Sequence, residues 1–323
     1  MAGPCVIGVD LGGTKLSAGA VDGGLSVHVR VQRQAPLHGA RAVLDALVET
    51  VEQVRAQSAV EIEAVGFGVP CLIDQRRGMA VMAVNLPLAD VPLRVLMAER
   101  LGLPVFVDND ANAAILAEHR AGAARGARHA AMLTLGTGIG GGLILNGELY
   151  HGAVGAAGEL GHMVIDEDGP PCQGSCPNHG CLESLASGTA MAREGRRAAQ
   201  DVPDGGLGRA LTAGREITGA LVTELAHDGD RAAREVVALI GTRLGVGIAN
   251  LVNIFNPEVV VVGGGVIAAG ELLLEPAREV VAARALRPSR DEVRVTRAHF
   301  GAESGMVGAA ALALDGIGRW ATA

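Results

Sequence analysis

The sequence predicts an α/β protein built from two related halves. Apolar runs of strand length alternate along the chain with glycine clusters and with alanine-rich stretches of helical spacing. Two apolar runs are each followed by a glycine turn that carries a threonine and then by a second apolar run, which indicates an internal duplication. The 323 residues, 49% of them hydrophobic, provide enough apolar material for about two domains with buried cores.

The first half begins with a buried strand that Gly12 and Gly13 turn into a second strand. Short apolar runs bounded by turn residues predict the strands, and apolar residues three or four apart predict the helices. We expect strands at 5–10, 16–21, 25–31, 64–69 and 105–107, and helices at 39–57 and 92–101.

The second half repeats the strand, glycine turn and strand at 130–145. An irregular segment rich in Gly, Pro and Cys follows, and a final alanine-rich helix is expected to pack on the first half. The predicted lobes are a smaller one, 1–115 plus about 303–323, and a larger one, 116–302, which contains the loop 159–183. Its further predicted elements are helices up to about 253, strands at 258–262 and 293–296 with a helix between them, and the last helix at 306–314.

Composition and charge exclude several classes of function. The net charge of −8 argues against a nucleic-acid partner, since no lysine-rich face exists to bind phosphates. One Trp, one Tyr and four Phe are too few for an aromatic platform that stacks bases or sugars. The first strand starts within five residues and no apolar run approaches ~20 residues, so neither secretion nor membrane insertion is expected. We expect a cytoplasmic protein with reduced cysteines.

Two glycine-rich turns are candidate phosphate-binding loops, DLGGTK at 10–15 and TLGTGIGGG at 134–142. Glycines let backbone N–H groups approach phosphate oxygens, a threonine hydroxyl donates another bond, and the Asp10 carboxylate is suited to hold Mg²⁺. Each turn alone is equally well explained as a tight hairpin, but together they predict a clamp for the triphosphate of ATP. The first turn contributes Asp10, Gly12, Gly13, Thr14 and Lys15.

A third glycine cluster, Gly263–Gly265, follows a valine-rich strand. Bare backbone there would let an adenosine lie flat against the chain. An ordinary strand-to-helix turn explains the cluster about as well.

Acidic and amide residues are concentrated in the segment 107–113, VDNDANA, where a strand ends and a helix begins. Helix capping explains one of them, Asp108 or Asn109, but two acids and two amides within five residues exceed what a cap needs. Phosphoryl transfer to a hydroxyl requires an aligned acceptor, charge neutralisation and a carboxylate that takes the proton. We predict that Asp110 is this general base.

One imidazole and three thiols lie within twenty residues of irregular chain and predict a Zn²⁺ site. Tetrahedral Zn²⁺ favours this ligand set, and four protein ligands indicate a structural site rather than a hydrolytic one. Chance cysteines in a loop are the alternative. The predicted ligands are His162, Cys172, Cys176 and Cys181.

Two acids, Glu159 and Glu183, flank this loop. Surface glutamates are common, but a metal that orders the loop would also fix both carboxylates in positions suited to bind sugar hydroxyls. The other histidines and cysteines are interpreted as ordinary residues: His151 and His179 as polar loop residues, with His179 an alternative zinc ligand, and Cys5 and Cys71 as buried apolar residues.

The ordered set of motifs resembles the ROK family of sugar kinases and repressors, in particular its bacterial glucokinases. The resemblance covers nearly the whole chain. It implies an actin-like/hexokinase-like (ribonuclease H-like) fold of two lobes with a cleft between them, usually in a homodimer, with a tetramer as the alternative. The motifs are DLGGTK from Asp10, VDNDANAA from Val107, LGTGIGGG from Leu135, GELGH from Gly158, CPNHGCLE from Cys176 and VVGGGV from Val261.

The resemblance also implies roles for single residues. Asp110 corresponds to the aspartate that deprotonates the sugar 6-hydroxyl, and His162 would serve zinc with one ring nitrogen and sugar with the other. The sugar-binding positions are Asn85, Asn109, Asp110, Glu159, His162 and Glu183. The nucleotide positions are Gly12, Thr14, Thr137 and Gly138 in the phosphate turns, and Gly264 and Gly265.

The implied activity is ATP- and Mg²⁺-dependent phosphorylation of glucose at O6. The same transfer to N-acetylmannosamine, fructose, mannose or a cyclitol is the alternative, because a few hydroxyl contacts in one pocket decide the acceptor. A sugar-sensing regulator is disfavoured, since repressors of the family carry an N-terminal DNA-binding module for which no room is expected before Asp10.

Two positions depart from the family pattern. Three residues separate Cys172 from Cys176 where many members have one. Cys71 stands where a glycine is more usual, and we expect it to crowd the sugar side.

Overall fold

The computed structural model describes residues 4–13, 15–36, 39–83 and 86–320. Within these ranges the chain alternates strands and helices. The strands are β1 Cys5–Leu11, β2 Lys15–Asp22, β3 Val27–Gln34, β4 Val65–Val69, β5 Cys71–Asp74, β6 Met79–Ala83, β7 Val105–Asn109, β8 Ala130–Leu135, β9 Ile139–Leu145, β10 Glu148–Leu149, β11 Val259–Gly263 and β12 Arg294–Arg297. The helices are α1 Ala40–Gln57, α2 Leu93–Leu101, α3 Asp110–Ala121, α4 Leu182–Ala186, α5 Gly188–Asp201, α6 Gly206–Thr212, α7 Gly219–His227, α8 Arg231–Phe255, α9 Glu271–Arg284, α10 Ser289–Glu292 and α11 Ser304–Trp320.

Two five-stranded sheets have the same topology. Their strand orders are β3-β2-β1-β4-β7 and β10-β9-β8-β11-β12. In the first sheet β1 pairs antiparallel with β2 and parallel with β4, which pairs parallel with β7. In the second sheet β8 and β12 both pair parallel with β11. The repeated order agrees with the duplication predicted from the two glycine turns. A separate hairpin of β5 and β6 was not predicted.

The chain divides into two compact units. Unit 1 contains the described residues of Met1–Gly126, Gly142–Gly158 and Ala302–Ala323, and unit 2 contains Ala127–Gly141 and Glu159–Gly301. The lobe boundaries expected from the sequence, near residues 115 and 302, stay a prediction.

In unit 1, α1 covers one face of the first sheet. Its buried residues include Val43, Leu47 and Val51, spaced so that they share one helix face. They belong to the same apolar cluster as Ile7 and Phe67 of the sheet, all of them fully buried. Every second residue of β1, Cys5, Ile7, Val9 and Leu11, belongs to this cluster, because residues two apart on a strand point to the same face of the sheet.

The C-terminal helix α11 packs on β1, β4 and α3, as expected from its composition. Glycines allow its backbone to approach these elements without intervening side chains. A Cβ at Gly8 would overlap the Met306 carbonyl oxygen, and one at Gly66 would overlap the Ala309 carbonyl oxygen. Because both obstacles are backbone atoms, side-chain repacking cannot relieve the overlap.

Gly66→Ala is therefore expected to destabilise unit 1 by about 1–3 kcal/mol, the usual cost of overpacking a core. The measurement is the midpoint of urea unfolding. Gly13→Ala is the control, since a Cβ at Gly13 meets nothing within 4 Å. Equal midpoints for the two variants would contradict the close approach of α11.

Helix α8 is, by length and composition, able to cross a membrane. Its best window has a mean hydropathy of 1.5, but 56% of that window is buried inside the protein. Arg243, in the middle of the helix, donates to the Glu194 carboxylate at 3.0 Å and to the Leu185 carbonyl at 3.3 Å. Buried neighbours and an internally satisfied charge are the features of a core helix.

Candidate functional site

The acidic segment of unit 1 lies where β7 ends and α3 begins. Asn109 caps α3, since its side-chain oxygen accepts from the backbone N–H groups of Ala111 at 2.9 Å and Asn112 at 3.2 Å. Asp110 is the first residue of the helix, and its Oδ1 atom also accepts from Ala111 N at 2.9 Å. The cap predicted for Asp108 or Asn109 is thus Asn109. The helix N-terminus favours a carboxylate at position 110.

The structure brings Asp10 and Asp110 together, although they come from different sequence motifs. Asp10 keeps some exposed surface, yet burial is the larger of the two causes that raise its pKa from 3.8 to about 7, and the Asp110 charge is the second. Gly305 of α11 leaves the necessary space, since a Cβ there would lie 2.6 Å from the Asp10 Cγ atom. Two neighbouring carboxylates that are partly shielded from water repel each other, and a bound cation would relieve this repulsion.

This pKa predicts a pH dependence of stability for the nucleotide-free protein. The folded state holds the Asp10 proton more tightly than the unfolded chain, because its pKa is raised from 3.8 to about 7. The resulting stabilisation is complete below about pH 4 and is lost as the pH rises through about 7. Asp10→Asn, which mimics the neutral acid, should remove this loss. Thermal midpoints of both proteins between about pH 4 and 8 test it, and parallel profiles would contradict it.

The structure adds a contact between buried Asp108 and half-buried His151, which sequence reasoning missed. Asp108 is 1% exposed, and its carboxylate accepts from Asn109 N at 2.7 Å and from the Asn112 amide at 3.0 Å. His151 Nε2 lies 2.6 Å from its other oxygen. His151 is a polar loop residue, as interpreted, but its contact with Asp108 was not predicted. No local pattern joins residues this far apart in the chain.

Cys71 lies beside the acidic segment and is 2% exposed, as its interpretation as a buried residue required. Its carbonyl oxygen accepts from the Asn109 side-chain amide at 3.4 Å. Burial, followed by the Asp110 charge, raises the pKa of the Cys71 thiol to about 12. The side chain is therefore a neutral thiol next to Asp110.

Two predicted site residues, Thr14 and Asn85, lie outside the described part of the chain. In the first glycine turn, Gly12 N donates to the Lys15 carbonyl at 2.8 Å and closes the hairpin. A Cβ at Gly13 would meet nothing within 4 Å, and Lys15 is exposed. Gly13 therefore has the open surroundings that the prediction requires.

The predicted zinc ligands converge in unit 2. One ligand atom each from His162, Cys172, Cys176 and Cys181 lies within 4.8 Å of all the others. Cys172 Sγ is 3.5 Å from His162 Nδ1, and the sulfurs of Cys176 and Cys181 are 3.9 Å apart. Tetrahedral Zn²⁺ with ordinary bond lengths requires ligand separations of about 3.5–3.8 Å. The four residues fit a zinc ion, and His179 is exposed and outside the cluster.

Backbone bonds hold the loop around these ligands. Cys172 N donates to Asn178 O at 2.9 Å, and Leu182 N donates to Met163 O at 2.8 Å. Burial is the main cause that raises the pKa of the Cys172 thiol, with the Cys181 and Cys176 thiols adding to it. Without a metal, the raised pKa favours the neutral thiol. A zinc ion bound by the four predicted ligands would instead favour the thiolate, because zinc binds and stabilises thiolates.

Both flanking acids lie against the zinc cluster. Nδ1 of His162 faces the thiols, and its Nε2 lies 3.8 Å from Glu159 Oε2. Glu183 Oε1 lies 3.7 Å from Cys172 Sγ, and its Oε2 accepts from Ile139 N at 2.8 Å. The two carboxylates, His162 and the second glycine turn therefore belong to one connected region of unit 2.

A cavity of about 640 Å³ lies next to this region in unit 2. Thr137 and Gly265, both predicted to contact nucleotide, line it. Sequence reasoning missed the remaining lining, which comes mainly from α5, the start of α7 and the turn before α7; it includes Gly188, Thr189, Ala192, Arg196, Glu216, Thr218 and Gly219. Such residues carry no motif, and only the packing of the helices makes them neighbours.

Two further glycines predicted to contact nucleotide, Gly138 and Gly264, lie in the turns beside the cavity and allow other groups to approach closely. A Cβ at Gly138 would overlap the Glu183 carboxylate, so this glycine is needed for the approach of Glu183. Gly264 has a φ of 82° and packs against the Leu135 backbone. Its conformation is that of a strand-to-helix turn, the alternative left open for this cluster.

Comparison with known proteins gives similarities over nearly the full length. Residues 6–316 match the sequence profile of the ROK family. The chain is 36% identical over 315 residues to a glucokinase of Thermotoga maritima, covering 97% of this chain and 98% of that protein. It resembles the crystal structure of a ROK family glucokinase from Streptomyces griseus in complex with glucose and AMPPNP, with 35% identity, a TM-score of 0.87, and coverage of 96% and 99%.

A ROK hexokinase from Thermus thermophilus is also similar, with 37% identity, a TM-score of 0.76, and coverage of 98% of this chain and 99% of that one. These likenesses confirm the predicted actin-like/hexokinase-like fold. The match in sequence and the match in structure agree, and the chain belongs to the ROK family.

Proposed function

We propose that the protein is a glucokinase that transfers the γ-phosphoryl group of ATP to O6 of glucose. The observation that carries the proposal is Asp110, placed at the first turn of α3 beside Asp10, in a chain that matches glucokinases over nearly its whole length. A carboxylate at a helix start next to a second acid has the chemistry needed to take a hydroxyl proton beside bound Mg²⁺.

The residues of unit 1 are assigned to the reacting groups. Asp110 accepts the O6 proton as the hydroxyl attacks the γ-phosphorus, and Asn109 binds the sugar. Asp10 is the candidate to hold Mg²⁺, directly or through water, and the bound Mg²⁺ supplies neutralisation of phosphate charge. The contact between His151 and Asp108 holds the segment that carries Asp110 in place. Asp108 also accepts hydrogen bonds from the Asn109 backbone N–H and from the Asn112 side-chain amide, on either side of Asp110 in the sequence.

The residues of unit 2 are assigned to binding. Glu159, His162 Nε2 and Glu183 are suited to bind sugar hydroxyls. The cavity of about 640 Å³ is of the size of small-molecule sites and is assigned to the nucleotide. Zinc takes no part in the phosphoryl transfer that we propose. Its four ligands order the loop that carries the sugar-binding residues.

We also propose that the protein is cytoplasmic. Thiols that bind zinc must stay reduced, which suits a cytoplasmic protein. A homodimer is proposed from the family resemblance, with a tetramer as the alternative.

The test is an ADP-release assay on purified protein over a panel of hexoses, hexosamines and cyclitols, with ATP and polyphosphate as phosphoryl donors. We expect glucose with ATP and Mg²⁺ to have the highest kcat/KM. Phosphorylation of no acceptor would overturn the kinase proposal. Preference for N-acetylmannosamine, fructose, mannose or a cyclitol would keep the reaction type and replace the substrate.

A further inference from the structure

The three-residue segment 173–175 lies between the predicted zinc ligands Cys172 and Cys176. Its first residue, Gln173, is half-buried and points into unit 2. The Gln173 side-chain amide donates to the Thr137 carbonyl at 3.3 Å and to the Ser187 hydroxyl at 3.2 Å. The segment therefore connects the zinc loop to the second glycine turn.

Two hydrogen bonds from the start of α5 also hold the glycine turn 136–139. The Thr189 hydroxyl donates to the Thr137 carbonyl at 2.8 Å, and Gly188 N donates to the Gly136 carbonyl at 2.8 Å. A trans peptide is planar, so its C=O and the following N–H point in opposite directions. Fixing the Thr137 carbonyl therefore fixes the direction of the Gly138 N–H, the kind of group that binds phosphate.

We propose that Gln173 is a positioning residue that makes the zinc loop govern nucleotide binding as well as sugar binding. Gln173 follows Cys172 directly, so a metal that fixes Cys172 also fixes the backbone from which the Gln173 side chain reaches Thr137. The inference rests on the proposed function, because it takes the turn 136–139 as the site of the ATP phosphates.

Two variants remove the contact in different ways. Gln173→Ala deletes the donor, and Gln173→Glu keeps the shape but places an acceptor against the Thr137 carbonyl. Ser175→Ala is the matched control, since Ser175 is exposed in the same segment. For each zinc-loaded protein the measurements are zinc content, thermal midpoint, and the Kd values of Mg²⁺–AMPPNP and of glucose by calorimetry.

We expect the AMPPNP Kd to rise about 3- to 10-fold in Gln173→Ala, as for the loss of one hydrogen bond, and more in Gln173→Glu. The KM for ATP should rise with it, while the Kd and KM for glucose change less than about twofold. Ser175→Ala should match the wild type. An unchanged AMPPNP Kd, or an equal loss of glucose and AMPPNP affinity, would overturn the proposal. A wild-type protein that binds AMPPNP but phosphorylates no sugar would instead overturn the proposed function.

Metal removal provides a second arm. Stripping zinc from the wild type should raise the AMPPNP Kd at least as much as Gln173→Ala does. In the stripped protein Gln173→Ala should add less than about twofold, because two changes that break one interaction are not additive. Additive losses would show that Gln173 acts independently of the metal and would overturn the coupling.

Discussion

Asp110→Asn is expected to lower kcat by about 10²- to 10⁴-fold, the usual contribution of a general base. The amide keeps an oxygen that can accept from Ala111 N, a bond of 2.9 Å in the wild type, so the start of α3 should be retained. It cannot take the O6 proton. Single-turnover phosphorylation measures the chemical step, and calorimetry should find glucose binding still measurable and the AMPPNP Kd nearly unchanged.

Asp45→Asn is the control for loss of one carboxylate in unit 1. Asp45 contacts Arg100 at 2.7 Å on the exposed surface of α1, where an ion pair contributes little. Its kcat should equal that of the wild type. Full activity of Asp110→Asn would remove Asp110 from its catalytic role, and a loss of glucose affinity with an unchanged kcat would leave it a binding residue only.

Cys176→Ala is expected to release zinc, to lower the thermal midpoint and to weaken glucose binding by about tenfold or more, because small displacements of binding groups cost large factors. The reason is geometric. His162 is a predicted ligand that also lies 3.8 Å from Glu159, and Glu183 lies 3.7 Å from Cys172 Sγ. A loop without its metal cannot hold these groups in one arrangement. Zinc content and the glucose Kd are the measurements.

His179→Ala is the matched control, since His179 is an exposed imidazole of the same loop and lies outside the ligand cluster. It should keep its zinc and its glucose affinity. Loss of zinc in this variant would restore His179 as a ligand. Unchanged glucose affinity in Cys176→Ala protein verified to be metal-free would show that the metal stabilises a region remote from the sugar.

The features predicted well from the sequence are those whose causes are local. The strand Cys5–Leu11 is an apolar run that ends at glycines, and α3 begins after a residue type that caps helices. The zinc ligands lie within twenty residues, so a single loop can bring them together. Features that depend on residues close together in the sequence can be predicted from residue type and spacing.

The features that were missed join distant parts of the chain. His151 reaches Asp108 across 43 positions, and neither residue has a neighbour that indicates the other. The hairpin of the short strands β5 and β6 was also missed. The cavity lining from α5 was missed because its residues carry no motif. Periodicity predicts which residues are buried, but not which elements they contact.

The sequence alone determined the α/β class, the duplication, the family resemblance, the ligand set of the zinc loop and the candidate base Asp110, because each depends on residue types at short spacings. Only the tertiary structure decided that Asp10 lies beside Asp110, where burial raises its pKa to about 7, and that Gln173 contacts the turn at Thr137. These facts depend on which distant backbones approach one another. That approach is set by the packing of whole helices and sheets, in which α11 against β1 and β4, or the zinc loop against α5, brings together residues that no local pattern connects.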